Sequence, residues 1–231
     1  MYNISVIRGD YMENDYSNIY KKFDFEYNEC IKSFSHIDHE QDLFTKEHSD
    51  RVASYASLIG EKMNLNEENL ETLRLGSFYH DIGKVGISTK IIFKDTKLTD
   101  EEYMEMKKHT FIGSDILSHS PTFNNIIPIV KYHHEKYDGS GYPEGLKGEE
   151  IPLLTRIVSI ADSFDAMSSD RVYRKALPLE IVKQEMANGA GTQFDPQITN
   201  IFLDILNNES DKINRIMHKF DDSNMTKFFE F

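Results

Sequence analysis

Apolar positions recur every three to four residues through most of this chain, the period of helices with one buried face. Over 49–64 (SDRVASYASLIGEKMN), Val52, Tyr55, Ala56, Ile59 and Met63 share one face, with Ser49 or Asp50 as the expected cap. Residues 67–80 bring Leu70, Leu73, Ser77 and His80 into line, behind Asn64 or Asn66 and ahead of Gly83. Thr99 followed by Asp100, Glu101 and Glu102 opens a third helix with an acidic first turn. Further helices are predicted from Asn124 to about Tyr137, from Pro152 to about Ser169, from Pro178 to about Asn188, and from Asp195-Pro196 onward. Residues 138–148 (DGSGYPEGLKG) hold four glycines and a proline and are predicted as a loop. Strand alternation is limited to a hint near Val85–Ile87. The fold class is therefore all-α.

Composition narrows the picture. At 231 residues, with 39% hydrophobic and 28% charged positions, the chain resembles an ordinary globular protein with one sizeable core. It has no run of 18 apolar residues, so no membrane span is expected, and MYNISVIRGDYMENDY does not read as a signal peptide. Cys30 is the only cysteine, which excludes an internal disulfide and a thiolate zinc cluster and fits a cytoplasmic setting. The net charge of -13 argues against a nucleic-acid polymer as partner. It leaves room for a small anion at a locally positive pocket, which divalent ions and a few cations can create.

Candidate chemistry lies on the apolar side of these segments. His80-Asp81, His109, His133-His134 and Asp162 sit at helical spacing from isoleucines, leucines and valines, and His48 precedes the first helix pattern. A carboxylate placed there costs roughly several kcal/mol unless it is paired or metal-bound. The steps from His48 to His80, His109, His133 and Asp162 are 32, 29, 24 and 29 residues, each about a helix, a turn and part of another helix. Antiparallel helices can thus deliver these side chains to one interior point. An isolated inward histidine is more often a core residue, but five histidines and two aspartates together favour metal. Nitrogen and oxygen donors without thiolates suit iron, manganese, zinc or nickel. Two ions ~3.5–4 Å apart, bridged by one carboxylate, suit phosphoester hydrolysis by a bridging hydroxide. His36, His39, His119 and His218 lack this context and read as ordinary histidines.

The stretches HDIGKVGIS (80–88), HHEKYDGSGYPEGLKGEEIP (133–152) and RIVSIADSFDAMSSDRVYRKAL (156–177) resemble the HD-GYP family, a subgroup of the HD metal-dependent phosphohydrolases. The likeness runs from about Leu43 to Ile205. It implies an all-α HD bundle with a Gly141-Tyr142-Pro143 loop, and hydrolysis of cyclic di-GMP through pGpG towards GMP. It implies two divalent ions, iron or manganese. His48, His80, Asp81 and Asp162 would take one; Asp81 would be shared, with His109, His133 and His134 on the other. Phe44 stands where three-metal relatives carry a glutamate, so two ions are expected. The resemblance makes Asp81 and Lys84 catalytic, and Lys84, Tyr142, Arg171, Arg174 and Lys175 substrate contacts. Val172 replaces the proline common in the family, which leaves the Arg174 placement less constrained. Thr192–Pro196 reads as structural capping.

The expected organisation is a short helical extension over 1–40, an HD-GYP domain over 41–207 and a helical tail over 208–231. The aromatic stretch Tyr16–Tyr27 and the tail residues Ile213, Ile216, Met217 and Phe220 suit core cover, or contact with a second copy or a regulatory partner. Two other activities compete with cyclic di-GMP hydrolysis: hydrolysis of a related dinucleotide, and nucleotide binding without turnover.

Overall fold

The computed structural model describes the backbone of residues 39–170 and 175–218, with side chains from 47 onward. The aromatic stretch before 35, the Phe44 side chain, Arg171, Val172, Arg174 and the tail beyond 218 lie outside what is described. From Leu43 onward the chain forms one compact unit. Among the described residues there are helices and turns but no β-strand, only an isolated bridge between Ala190 and Phe194.

Helix α1 (His39–Lys62) begins about ten residues earlier than the apolar pattern indicates. Ser49 and Asp50 therefore lie inside it and cap nothing; the polar face before Val52 carries no apolar period to mark the start. Helix α2 (Glu67–Tyr79) is capped by Asn66, whose side chain accepts the Asn69 amide at 2.9 Å. It ends at His80, three residues before Gly83, and Ile82–Gly86 forms a 3₁₀ turn where the strand hint lay. Val85 and Ile87 alternate, but among the described residues the segment has no second strand to pair with.

A short α3 (Thr89–Ile92) leads to α4 (Asp100–Lys107), which starts with a capping box between Thr99 and Glu102. After Lys108 the chain re-enters a helix as α5 (His109–Ser118). The predicted helix from Asn124 to Tyr137 shortens to α6 (Ile127–Tyr132). It stops because His133 and His134 turn into the glycine-rich loop, where Tyr142 N donates back to His134 O at 3.2 Å. Helices α7 (Leu153–Ser168) and α8 (Leu179–Gly189) lie within a residue or so of their predicted ends. Asp195 caps α9 (Pro196–Asn208), accepting the amides of Gln197 and Ile198, and α10 (Ser210–Met217) follows.

The core gathers the apolar faces of α1, α7 and α9. Val52, Tyr55, Ala56 and Ile59 meet Ile157, Val158, Ala161 and Phe164, with Phe202 and Ile205 beyond. Tyr55 and Phe202 meet Phe164 edge-on at 4.9 and 5.0 Å. Each such burial contributes about 1.5–3 kcal/mol. Ile213 of α10 is buried against the same core, with Ile216 and Met217 partly covered. Helix α7 is buried around most of its circumference, Ile157 to Ala161 without a break, because α2, α6 and α8 pack on it as well. That places Asp162 and Asp165, one turn apart on α7, among neighbouring helices rather than in water.

Candidate metal centre

The loop connections are tight where the site forms. A Cβ on Gly83 would fall 1.9 Å from the carbonyl oxygen of His109 and 2.4 Å from the Gly113 amide nitrogen. The 3₁₀ turn after His80-Asp81 therefore lies backbone to backbone against the start of α5. His80, Asp81 and His109 are brought together by that contact.

Four histidines are oriented in a common way. Nδ1 of His80 donates to Ser77 O at 2.6 Å, that of His109 to Met106 O at 2.7 Å and that of His133 to Val130 O at 2.9 Å. Each partner is the carbonyl three residues earlier. A carbonyl only accepts, so Nδ1 carries the proton and Nε2 is left with a free lone pair. His48 follows the same rule through a carboxylate: its Nδ1 lies 2.7 Å from Asp165 Oδ2. The ring of His134 stacks on Tyr142 at 4.8 Å between centroids.

The free nitrogens converge on two carboxylates. His48 Nε2 is 3.3 Å from Asp162 Oδ1, and His80 Nε2 is 3.8 Å from the same atom. Asp81 Oδ2 lies 3.4 Å from His80 Nε2 and 3.9 Å from His48 Nε2. Its other oxygen, Oδ1, lies 3.4 Å from His109 Nε2 and 3.8 Å from His133 Nε2. Two donor groups result, His48-His80-Asp162 and Asp81-His109-His133-His134, with donor atoms within 4.8 Å of one another inside each. All seven residues singled out in the sequence are brought together.

The donors fit divalent ions on two grounds. His80 Nε2 and Asp81 Oδ1 are buried without a hydrogen-bond partner, which is costly for an interior polar atom unless something else satisfies it. The protonation states also suit. Burial, then the neighbouring histidines, push His133 well below the ordinary imidazole range; burial pushes His134 down to about 3 and lowers His109. These rings are neutral at pH 7. Burial opposes ionisation of Asp81, but Lys84 and then His80 outweigh it and hold Asp81 well below the usual carboxylate range. Burial also opposes a charge on Asp162, but His48 and His80 outweigh it and lower that carboxyl too. Burial likewise works against a charge on His80, yet Asp81 and Asp162 outweigh it and raise that ring. Neutral imidazoles and ionised carboxylates are what a divalent cation requires.

Lys84 reaches back to donate to Asp81 Oδ2 and keeps 31% of its side chain exposed, so it borders the centre. Lys175 is 88% exposed and ion-paired with Asp170 at 2.6 Å. Arg171 and Arg174 lie outside the described residues.

Three supporting residues carried no sequence assignment. Asp165 binds His48 and also takes Arg51 Nε at 2.6 Å and Nη2 at 3.1 Å. Burial resists its charge, but His48 and Arg51 prevail and lower its pKa. Glu135, 3% exposed, accepts the amides of Glu144 and Gly145 at 2.7 and 3.0 Å and so anchors the Gly-Tyr-Pro loop. Lys107 places its ammonium 4.6 Å from the Tyr103 ring centroid and 5.0 Å from that of Tyr142. The three-residue step from Asp162 to Asp165 on one stripe was the available signal for Asp165. Glu135 and Lys107 went unassigned because the loop amides that Glu135 holds, and the Tyr142 ring under Lys107, lie across loops.

Comparison with known proteins defines the class. The family model for the HD domain matches residues 35–198. Over 186 residues the chain is 40% identical to a cyclic di-GMP phosphodiesterase of Thermotoga maritima, covering 80% of this chain and 50% of that protein. Over 199 residues it is 36% identical to 3'3'-cGAMP-specific phosphodiesterase 3 of Vibrio cholerae, covering 86% and 43%. The chain thus spans about half the length of the curated relatives it matches. In fold it resembles Bd1817, a HDG"Y"P protein from Bdellovibrio bacteriovorus, with a TM-score of 0.59 at 21% identity, covering 71% of this chain and 52% of that one. This is an HD-domain protein. Its HD residues and its Gly141-Tyr142-Pro143 loop meet at one centre, and the chain belongs to the HD-GYP subgroup of that family.

Proposed function

We propose that the chain is a metal-dependent phosphodiesterase that hydrolyses cyclic di-GMP to pGpG, GMP or both. The observation that carries this is Asp81, whose two oxygens face different histidine groups, 3.4 Å from His80 on one side and 3.4 Å from His109 on the other. One carboxylate set between two histidine groups is the arrangement of a two-ion centre. His48, His80, Asp81 and Asp162 would hold one ion; Asp81, His109, His133 and His134 the other. Iron or manganese suits the nitrogen and oxygen donors. Ions bound there would acidify a water for attack on phosphorus and neutralise phosphate charge.

The protein's own residues do the rest. Hydrolysis forms a bond from water oxygen to phosphorus and breaks the bond to the ribose 3′ oxygen, which takes up a proton. Lys84, partly exposed at the rim, donates to a non-bridging phosphate oxygen and stabilises the charge that grows there. Asp165 and the carbonyls of Ser77, Met106 and Val130 hold the histidine rings in one tautomer, so no reorientation is needed. Tyr142, packed on His134, offers a face to a nucleobase. Arg171, Arg174 and Lys175 supply positive charge for the remaining phosphate and the guanine edges.

A second reading has its own support. A relative 36% identical over 199 residues is named as specific for 3'3'-cGAMP, so the preferred dinucleotide is either cyclic di-GMP or that hybrid. Incubation of manganese- or iron-loaded protein with cyclic di-GMP, 3'3'-cGAMP and linear pGpG, with products resolved by chromatography, decides. Turnover of cyclic di-GMP supports the first reading. Turnover of the hybrid alone moves the assignment to the second, and binding without product in either metal overturns both.

A further inference from the structure

A groove of about 620 Å³ lies between α3 and α4. Ile91, Ile92, Leu98 and Met106 give it apolar walls, and Lys94, Asp95, Thr96, Lys97 and Asp100 line the rest. The volume falls in the roughly 300–1,000 Å³ range of small-molecule sites. Tyr103 lines it and is still 47% exposed, a large aromatic surface that folding leaves uncovered. The capping box at Thr99 and the Lys94–Glu102 ion pair at 2.5 Å fix the start of α4, so Tyr103 stands on a firm helix.

The groove is joined to the centre by a run of rings. Tyr103 meets Tyr142 edge-on at 6.4 Å between centroids, and Tyr142 stacks on His134. Lys107, one turn after Tyr103 on the same face, places its ammonium over both tyrosines. No carboxylate pairs with it among the described residues, in a chain of net charge -13. A half-buried cation over rings gains only on the order of 1 kcal/mol, so this lysine remains available to an anion. Tyr142 therefore stands between groove and centre, with Tyr103 on one side and His134 on the other.

We propose that this groove receives the distal purine base of the cyclic dinucleotide whose scissile phosphate lies at the metal centre. Tyr103 is the stacking wall and Lys107 contacts the second phosphate at the threshold. A cyclic dinucleotide carries two bases and two phosphates in one ring. One base at Tyr142 therefore leaves the other to be received nearby, and the only stacking surface joined to Tyr142 by ring contacts among the described residues, apart from the metal-centre histidine, is Tyr103. This rests on the cyclic-dinucleotide reading above.

The test uses manganese-loaded full chain. KM for cyclic di-GMP is measured, together with the Kd of its non-hydrolysable phosphorothioate analogue, in Tyr103→Ala, Tyr103→Phe and the groove-filling Thr96→Trp. Thr96 is exposed, so that substitution leaves the fold intact. Bis(4-nitrophenyl) phosphate, which has no base, is the comparison substrate. Tyr103→Ala and Thr96→Trp are expected to raise KM and Kd about tenfold, as loss of one base–aromatic stack does, and to lower the preference for the dinucleotide by the same factor. Tyr103→Phe is expected to restore both, since the ring is kept. KM and Kd that stay near wild type in both Tyr103→Ala and Thr96→Trp overturn the groove, as does an equal loss on both substrates. A wild-type protein that cleaves bis(4-nitrophenyl) phosphate but neither binds nor cleaves a cyclic dinucleotide overturns the substrate reading, and the groove with it.

Discussion

Asp81 Oδ1 lies 3.4 Å from His109 Nε2, although 28 residues separate the two in the chain. The contact exists because the turn after Asp81 presses against the first turn of α5 at Gly83. Its consequence is that one carboxylate belongs to both halves of the centre. Asp81→Ala removes a donor from each half. Bound metal should fall from about two ions to one or fewer, and turnover should be lost, while circular dichroism stays helical. Full metal content in that variant would remove the bridging role.

Gly83→Ala tests the backbone contact itself. A methyl group 1.9 Å from the His109 carbonyl oxygen forces the turn and α5 apart. Overpacking of this kind costs about 1–3 kcal/mol. For a chain of this size that lowers Tm by roughly 2–4 °C per kcal/mol, measured on the metal-free protein. Metal affinity should fall as well, because His109 moves away from Asp81. An unchanged Tm would mean that the two segments separate freely.

Asp165 supports His48 and Arg51 at once. In Asp165→Asn the orientation of His48 weakens, and affinity for the ion at His48, His80 and Asp162 should drop by about 10–100-fold in a chelator competition. In Asp165→Ala the buried Arg51 also loses its partner, which costs roughly 3–5 kcal/mol of stability. Equal stability of the two variants would show that Arg51 finds another acceptor.

Glu135→Ala tests the anchor of the Gly-Tyr-Pro loop. Two backbone amides lose a charged acceptor, each bond contributing about 1.5–3 kcal/mol. KM should rise and Tm should fall, with Glu135→Gln restoring part of each because its amide oxygen still accepts. A normal KM in Glu135→Ala would free the loop from this anchor.

The metal-free protein should lose stability as pH falls from 7 to 5. His134 has its folded pKa lowered to about 3 from 6.5, so below 6.5 the unfolded chain binds a proton that the folded chain refuses. Stability contributed by the neutral ring is present above 6.5 and declines by about 1.4 kcal/mol per pH unit below it. His133 acts in the same direction, and the raised pKa of His80 acts against both. His134→Gln should flatten the Tm-against-pH slope; an unaltered slope would contradict the neutral buried ring.

The convergence of these donor side chains was legible in the sequence, for a physical reason. A histidine or aspartate on an apolar face is costly to bury unless a partner or an ion satisfies it, so a set of them points to one shared centre. His48, His80, Asp81, His109, His133, His134 and Asp162 do meet. Helices α7 and α8 were legible because their apolar periods are continuous and proline marks their starts. The early start of α1, the 3₁₀ turn at Ile82–Gly86 and the short α6 were not. At the turn and at α6, backbone contacts across the fold override the local pattern, as at Gly83 against His109 and Tyr142 against His134; before Val52 the apolar period that would mark the start of α1 is missing. Asp165, Glu135 and Lys107 escaped because their roles depend on Arg51, on the loop amides and on the Tyr142 ring, all distant in sequence.

The most direct measurement is the metal stoichiometry of the chain purified without oxygen, read by elemental analysis for the wild type and for Asp81→Ala in parallel. Seven converging donors with one shared carboxylate predict close to two iron or manganese ions per wild-type chain and at most about one in the variant. A wild-type chain that turns over cyclic di-GMP with no bound metal, or with one ion that survives loss of Asp81, would contradict the account.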